Sequence, residues 1–398
     1  MDSLTQIVLG AAVGEAVLGK KVGNKAMLYG AIAGTIPDLD TFAGYFTDTL
    51  TAIEIHRGFT HSILFSVLFA PLFGMLISRW EKGADWKEWS WLMFWGLFTH
   101  PLLDSFTTWG TQLFWPFDIE LAFKTIFVID PFYTLPFLIF LILAMRRKKE
   151  DPKRARYNKL GLLVSSAYLL LALGMKTYTF TVFKNSLDQQ GIFYSAIETK
   201  PSPFNIILWT ANVETEEDYL IGSYSLFDAD RLVRFRAFPK NHDYLGQLKQ
   251  EPEVQRLIDI SNGWYVITEK DGDLYFNDLR FGQQNPYKEG SPFTFSYRLK
   301  SENGKLKVEE VEKRPENAKE ILTDLWHRIV RADLRVHPTH YLVQANLRLY
   351  PHHLVRADLC VRPLRAHHLV RADLRLRPHH PVRADLCVRP HTLNQTIS

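Results

Sequence analysis

The chain has 398 residues, enough for two domains, and its net charge of +4 is too small to argue for a nucleic-acid partner. A mean hydropathy close to neutral hides a split: residues 1–178 are strongly apolar, 179–325 read as a soluble domain, and 326–398 have a third composition. Both cysteines, Cys360 and Cys387, lie in that last part, which excludes a disulfide framework or thiol chemistry in the first two.

In chain order, the opening MDSLTQ places an acid where a signal peptide would carry basic residues, so a retained, rather short membrane segment is expected. Apolar segments fall near 4–18, 26–37, 62–78, 89–103, 126–145 and 160–176. Several are shorter than the roughly 20 residues a perpendicular span needs, so four to six spans are expected. The block 146-RRKKEDPKRARYNK-159 holds eight basic residues and should be cytoplasmic, as should 20–25 and 79–88 with their own lysines and arginine. The loops 38–61 and 104–125, and everything after 178, then lie outside. The Trp-rich stretch 86–95, with Trp109 and Trp115, reads as an interfacial aromatic belt.

Residues 205–213, 219–227, 264–281 and 293–300 alternate like strands, and Lys270-Asp271-Gly272-Asp273 is a hairpin signal. A small antiparallel β or α+β domain over 179–325 is expected, extracytoplasmic by the same topology. The tail 326–398 repeats motifs of the kind VRADLCVRP, contains no lysine and holds ten of the fourteen histidines. Read-through or a frame-shifted tandem DNA repeat explains this composition more simply than a selected domain or a metal-binding tract, and low order is expected.

Outside the tail four histidines remain. His242 stands by itself in the β domain, while His56, His61 and His100 lie in the apolar half. The acids near them are Asp38 and Asp40 in 36-IPDLD-40, Asp104, and Asp130 before Pro131. By the orientation drawn from basic residues, all of these fall in one layer on the outer side. His100 and Asp104, four apart, share a helix face. Asp38 and Asp40 follow Pro37, which suits an extended turn presenting both carboxylates. His56 and His61 converge only if His56 sits in a loop and Gly58 lets the chain bend. Alone, Asp104 and Asp130 read as caps. Together, ionisable groups that cost about 2.5–3.5 kcal/mol each at mid-membrane point to a site. Imidazole with carboxylate suits zinc first, then manganese or iron, as one ion or two bridged by an aspartate. Arg57 is either an interfacial anchor or the holder of an anionic oxygen.

The stretches MDSLTQIVLGAAVGEAVLG, PDLD, HRGFTHS and THPLLDSFTTWGTQLFWPF resemble a bacterial family of membrane-bound, metal-dependent hydrolases, also described as LexA-binding and inner-membrane-associated. The resemblance covers residues 1–145 and extends toward 325. It implies an integral inner-membrane protein with Asp38, Asp40, His56, His61, His100 and Asp104 as metal ligands. Many members carry His where this chain has Gln6.

The expected architecture is therefore an α-helical polytopic membrane domain, a small extracytoplasmic β or α+β domain and a low-complexity tail. The expected function is hydrolysis of an ester or phosphoester, lipid-linked or not, by metal-activated water at the outer interface. Asp38, Asp104 and Arg57 would be catalytic, and the bilayer and a lipid or phosphoester would be the partners. The rival is a non-catalytic membrane scaffold or regulator presenting the soluble domain; a transporter is a third option.

Overall fold

The computed structural model describes residues 1–302, 305–312 and 317–330; the repeat tail lies outside the described residues from 331 onward. The chain opens with α1 (Ser3–Val22), capped by Asp2, whose side chain accepts from the Thr5 amide. Gly23, at φ 65°, turns it into α2 (Asn24–Thr35). These two helices touch backbone to backbone. A Cβ on Gly10 would stand 2.2 Å from the Gly30 carbonyl oxygen, so only small residues permit the crossing.

Pro37 then opens a 3₁₀ helix, Pro37–Tyr45, where the sequence suggested an extended turn. The isoleucine before the proline already has helical dihedrals, so the helix tightens instead of unwinding. Next come α3 (Thr49–Ile55), the single turn Phe59–His61, α4 (Ile63–Trp80) and α5 (Trp86–Asp104). The last of these starts with an Asp85–Glu88 capping box. An irregular stretch leads to α6 (Pro131–Met145), capped by Asp130, and then to α7 (Pro152–Gln189). The last helix runs unbroken past residue 178, over about 57 Å at 1.5 Å per residue.

The region to residue 189 is thus helical, and two of its helices, α4 and α7, are long and apolar enough to cross a membrane; α6 is apolar but shorter. The basic loops gather at one end. Lys21 pairs with Glu88, Lys25 with Glu81, and the Lys149 ammonium reaches the Lys21 carbonyl at 3.4 Å. There Arg154 is buried against Glu15, holding both carboxylate oxygens while also reaching Asn24 Oδ1 (2.7 Å) and the Arg147 carbonyl (2.9 Å). Gly19 leaves the room that the Glu15 carboxylate fills.

The β domain contains two four-stranded antiparallel sheets. The first, in order, is β1 (Ala196–Pro201), β2 (Leu208–Glu214), β3 (Asp218–Ser225) and β4 (Phe235–Pro239). After α8 (Pro252–Ile260) comes the second: β5 (Tyr265–Lys270), β6 (Asp273–Asp278), β7 (Ser296–Glu302) and β8 (Lys305–Glu310). Asp271 and Gly272, both at positive φ, turn β5 into β6 with the geometry that tight hairpins favour. A final helix, α9 (Ala318–Val330), lies on the first sheet, where Ser225 Oγ donates to the Ile329 carbonyl.

This domain meets the loops at the other end of the helices. Leu50 of α3 is buried in one cluster with Leu245, Val254, Leu257, Tyr265 and Ile267. Arg256 of α8 grips both carboxylate oxygens of Glu54 at 2.8 Å and Thr51 Oγ1 at 2.8 Å. Of the tryptophans read as a belt, Trp89 is fully buried against Tyr29, and Trp109 packs on Phe281 and Phe295; Trp86 and Trp91 are exposed.

Replacing Arg154 by Met strands a buried carboxylate, and the expected loss is about 3–5 kcal/mol. The double variant E15M/R154M should recover most of it. Thermal unfolding in detergent micelles distinguishes the two; equal losses would mean that packing, not charge pairing, dominates this end.

Candidate metal centre

Three short segments build the site. The last turn of α5 carries His100 and Asp104 on one face, as their spacing requires. The 3₁₀ helix after α2 carries Asp38 and Asp40. The turn before α4 carries His61. The bend that brings His61 inward lies at residues 56–58. His56 caps α3 with extended dihedrals, Arg57 adopts the left-handed φ of 65°, and Gly58 follows at φ −87°, ψ −117°. Arg57 is a non-glycine residue in a sparsely populated region, a conformation that persists only where surroundings enforce it. Here the Arg57 amide donates to Asp40 Oδ2 at 3.1 Å, and its carbonyl accepts from the Gln112 amide at 3.1 Å.

Four donors converge. His61 Nε2 and His100 Nε2 are 3.2 Å apart. Asp38 Oδ1 lies 3.4 Å from each, and Asp104 Oδ2 lies 3.7 Å from each. All four ligand atoms fall within 4.8 Å of one another. A tetrahedral ion with bonds of about 2.0–2.2 Å has ligand–ligand edges of about 3.3–3.6 Å, so the two imidazoles, at 3.2 Å from each other and 3.4–3.7 Å from each carboxylate oxygen, are spaced close to what a single ion of that kind needs.

The surrounding hydrogen bonds fix both imidazoles for that role. His100 Nδ1 lies 2.6 Å from the Gly34 carbonyl oxygen, and His61 Nδ1 lies 3.2 Å from Asp40 Oδ2. With Nδ1 donating in each case, both Nε2 atoms turn their lone pairs to the centre, the arrangement of metal-bound histidines. Two facing lone pairs repel unless a cation or a proton lies between them. Asp104 Oδ2, Arg57 Nε and Gln6 Oε1 are buried without a hydrogen-bond partner, the condition of groups that await one.

Asp40 and His56 stand behind this centre. Asp40 accepts from Thr60 Oγ1 at 2.8 Å and pairs with His56 Nδ1 at 2.8 Å. His56 is therefore not brought among the four donors; its ring packs 5.7 Å from His61 and 6.4 Å from Trp109. Burial works to raise the Asp40 carboxyl, but hydrogen bonds from His56 and His61 outweigh it and hold it well below the usual carboxylate range.

Arg57 is buried, with Nη1 on Thr107 Oγ1 and on the Gly110 carbonyl, both at 3.1 Å, and Nε 3.5 Å from Asp104 Oδ2. Gln6 donates to Asp104 Oδ1 at 2.8 Å, and the Met1 α-amino group contacts the same oxygen. Asp130 lies apart as the α6 cap, accepting also from the Tyr168 hydroxyl. His242 stacks on Tyr265 in the β domain. The hydroxyls of Thr60 and Thr107 are members of the site that the reading of ionisable residues passed over, while Gln6 was pointed to by the family resemblance. Only the proximity of Thr60 to His61 and of Thr107 to Asp104 in sequence signalled these two.

The helical region thus carries a buried acid–imidazole cluster at one end, and comparison with known proteins places it in a class. Residues 1–180 match the YdjM inner membrane protein family. Inner membrane protein YbcI of Escherichia coli (strain K12) is 33% identical over an alignment of 129 residues that covers 30% of this chain and 74% of that relative. The chain belongs to the YdjM inner membrane protein family. No solved structure matches it.

Replacing Asp40 by Asn keeps the shape but removes the carboxylate behind His61. Metal affinity should fall about 10–100-fold with the fold intact, measured by competition with a chelator of known affinity. An unchanged affinity would remove Asp40 from the support of His61.

Proposed function

We propose that this chain is a polytopic, metal-dependent hydrolase of esters or phosphoesters, with its site and its β domain on the outer side of the inner membrane. The observation that carries the reading is the convergence of His61, His100, Asp38 and Asp104 on one point with both Nε2 atoms turned inward. A divalent ion held there, zinc before manganese or iron, would supply Lewis acidity and lower the pKa of a water.

The chain's own residues divide the remaining work. His61, His100 and Asp104, fully buried, are the ligands least able to move. The Asp38 side chain is 23% exposed and is placed to accept a proton from water at the mouth of the site. Arg57 lies beside Asp104, where its positive charge can steady an anionic oxygen. Asp40 and His56 hold His61 in orientation.

The topology is supported by the gathering of basic loops at one end of the helices and of acids and imidazoles at the other. Outward faces of α4 and α7 rich in exposed Leu and Val suit contact with lipid. A second reading rests on the number of donors. Four protein ligands close a zinc sphere, as in structural sites, which suits a metal-stabilised scaffold presenting the β domain.

Purified protein should carry about one divalent ion per chain, and H61A and D104A should lose it together with any turnover of a phosphoester panel. Added metal at a hundredfold excess over Kd should stabilise wild type by about 2.7 kcal/mol. A metal-free protein whose unfolding ignores chelator would sink both readings. Bound metal without turnover selects the scaffold.

A further inference from the structure

The mouth of the site has an unusual wall. Among the four converging donors only Asp38 reaches the surface. The segment that carries it continues the exposed face of α2. Leu28, Ile32, Ile36, Leu39, Phe42 and Tyr45 follow at spacings of four, four, three, three and three, the repeats of an α helix and then of a 3₁₀ helix. Leu28, Ile32, Leu39, Phe42 and Tyr45 are exposed along this line, and Ile36 between them is half-buried against the helical core. Leu28, Leu39 and Phe42 are about half exposed and Tyr45 is 81% exposed. Phe42 and Tyr45 stack at 6.2 Å. From Ala26 to Thr47 the only charged side chains are Asp38 and Asp40, and both turn toward the histidines. A water-soluble ester needs no such approach. His56, the other partly exposed group, lies behind Asp40 beside Trp109.

We infer that the substrate is a membrane amphiphile with a phosphoester head, whose hydrocarbon chain lies along the Leu28–Tyr45 stripe while the head reaches the metal centre past Asp38. This rests on the hydrolase reading and on the membrane placement of α2, and it adds the direction of approach. The stripe runs from the depth of the bilayer to the layer of the acids, so a lipid can bring its head to the site without its chain leaving hydrocarbon. Water attack bonds its oxygen to phosphorus and breaks the bond from phosphorus to the chain-bearing oxygen. One proton passes to that oxygen and the other stays on the released phosphate. The alcohol remains in the membrane and the phosphate leaves to water.

The test uses the full chain in phosphatidylcholine nanodiscs containing a minor fraction of phosphatidic acid, loaded with Mn²⁺ and washed of free metal. Paramagnetic broadening of ³¹P signals is read without any turnover. The phosphatidic acid signal should broaden selectively over phosphatidylcholine and over glycerol phosphate added outside. The exposed-site variants L39N and F42N should lose that broadening while keeping their manganese. Broadening of glycerol phosphate equal to that of phosphatidic acid, unchanged in L39N and F42N, overturns the lipid approach and leaves the phosphoesterase reading standing. Retained manganese with no phosphate broadened at all overturns both, as does failure to retain manganese.

Discussion

Two carboxylates taken out of water, Asp40 and Asp104, beside a third at the surface must be answered by positive charge or hydrogen-bond donors, and the rest of this structure is arranged around that demand. Isolated buried charges are untenable, and paired ones survive only when every lone pair has a partner. Asp40 shows how the demand shapes the backbone. Its two oxygens gather His56 Nδ1, the Arg57 amide, Thr60 Oγ1 and His61 Nδ1. Those four contacts hold the left-handed kink at Arg57 and deliver His61 to the centre. Asp104 gathers Gln6 and the Met1 amino group on Oδ1, while its Oδ2, with Arg57 Nε 3.5 Å away, keeps no hydrogen-bond partner. The cluster is compensated on its outside and short of positive charge in its middle.

The helical bundle serves this cluster through its glycines. His100 needs the Gly34 carbonyl as acceptor, and Gly34 is close enough because a Cβ there would lie 2.6 Å from the Gln6 carbonyl oxygen. The close crossing of α1 and α2 thus brings Gln6, the α2 carbonyl and α5 together at one end. At the opposite end the Glu15–Arg154 pair fastens α1 to α7 and to the loop before it. A bundle pinned at both ends offers the centre little freedom to rearrange.

Much of this was legible in the chain because it depends on local spacing. His100 and Asp104 share a face whenever the segment is helical, and the Asp271–Gly272 turn follows from the residues that tolerate positive φ. That acids and imidazoles would share a layer followed from charge asymmetry between loops. The ranking among them did not. Whether His56 joins the centre or stands behind Asp40 depends on a kink at Arg57, and nothing in residue type announces a left-handed arginine. Trp109 was read as a belt residue because a tryptophan near an apolar run has that as its commonest use. Its partners Phe281 and Phe295 lie more than a hundred residues away, where no periodicity connects them. The extended turn expected at Asp38 and Asp40 failed because proline starts a helix as readily as it stops one.

The short helix α3 has a consequence for how this protein could have been assembled. By position in the chain it belongs to the helical region, yet its Leu50 completes the core of the second sheet and its Glu54 holds α8. His56 caps its end. The two regions are therefore interleaved, not strung in series: no single cut of the gene releases the sheets without baring Leu50. A family member lacking the sheets would expose Leu50 and Ile53, so polar residues at those two positions are what such a chain would need.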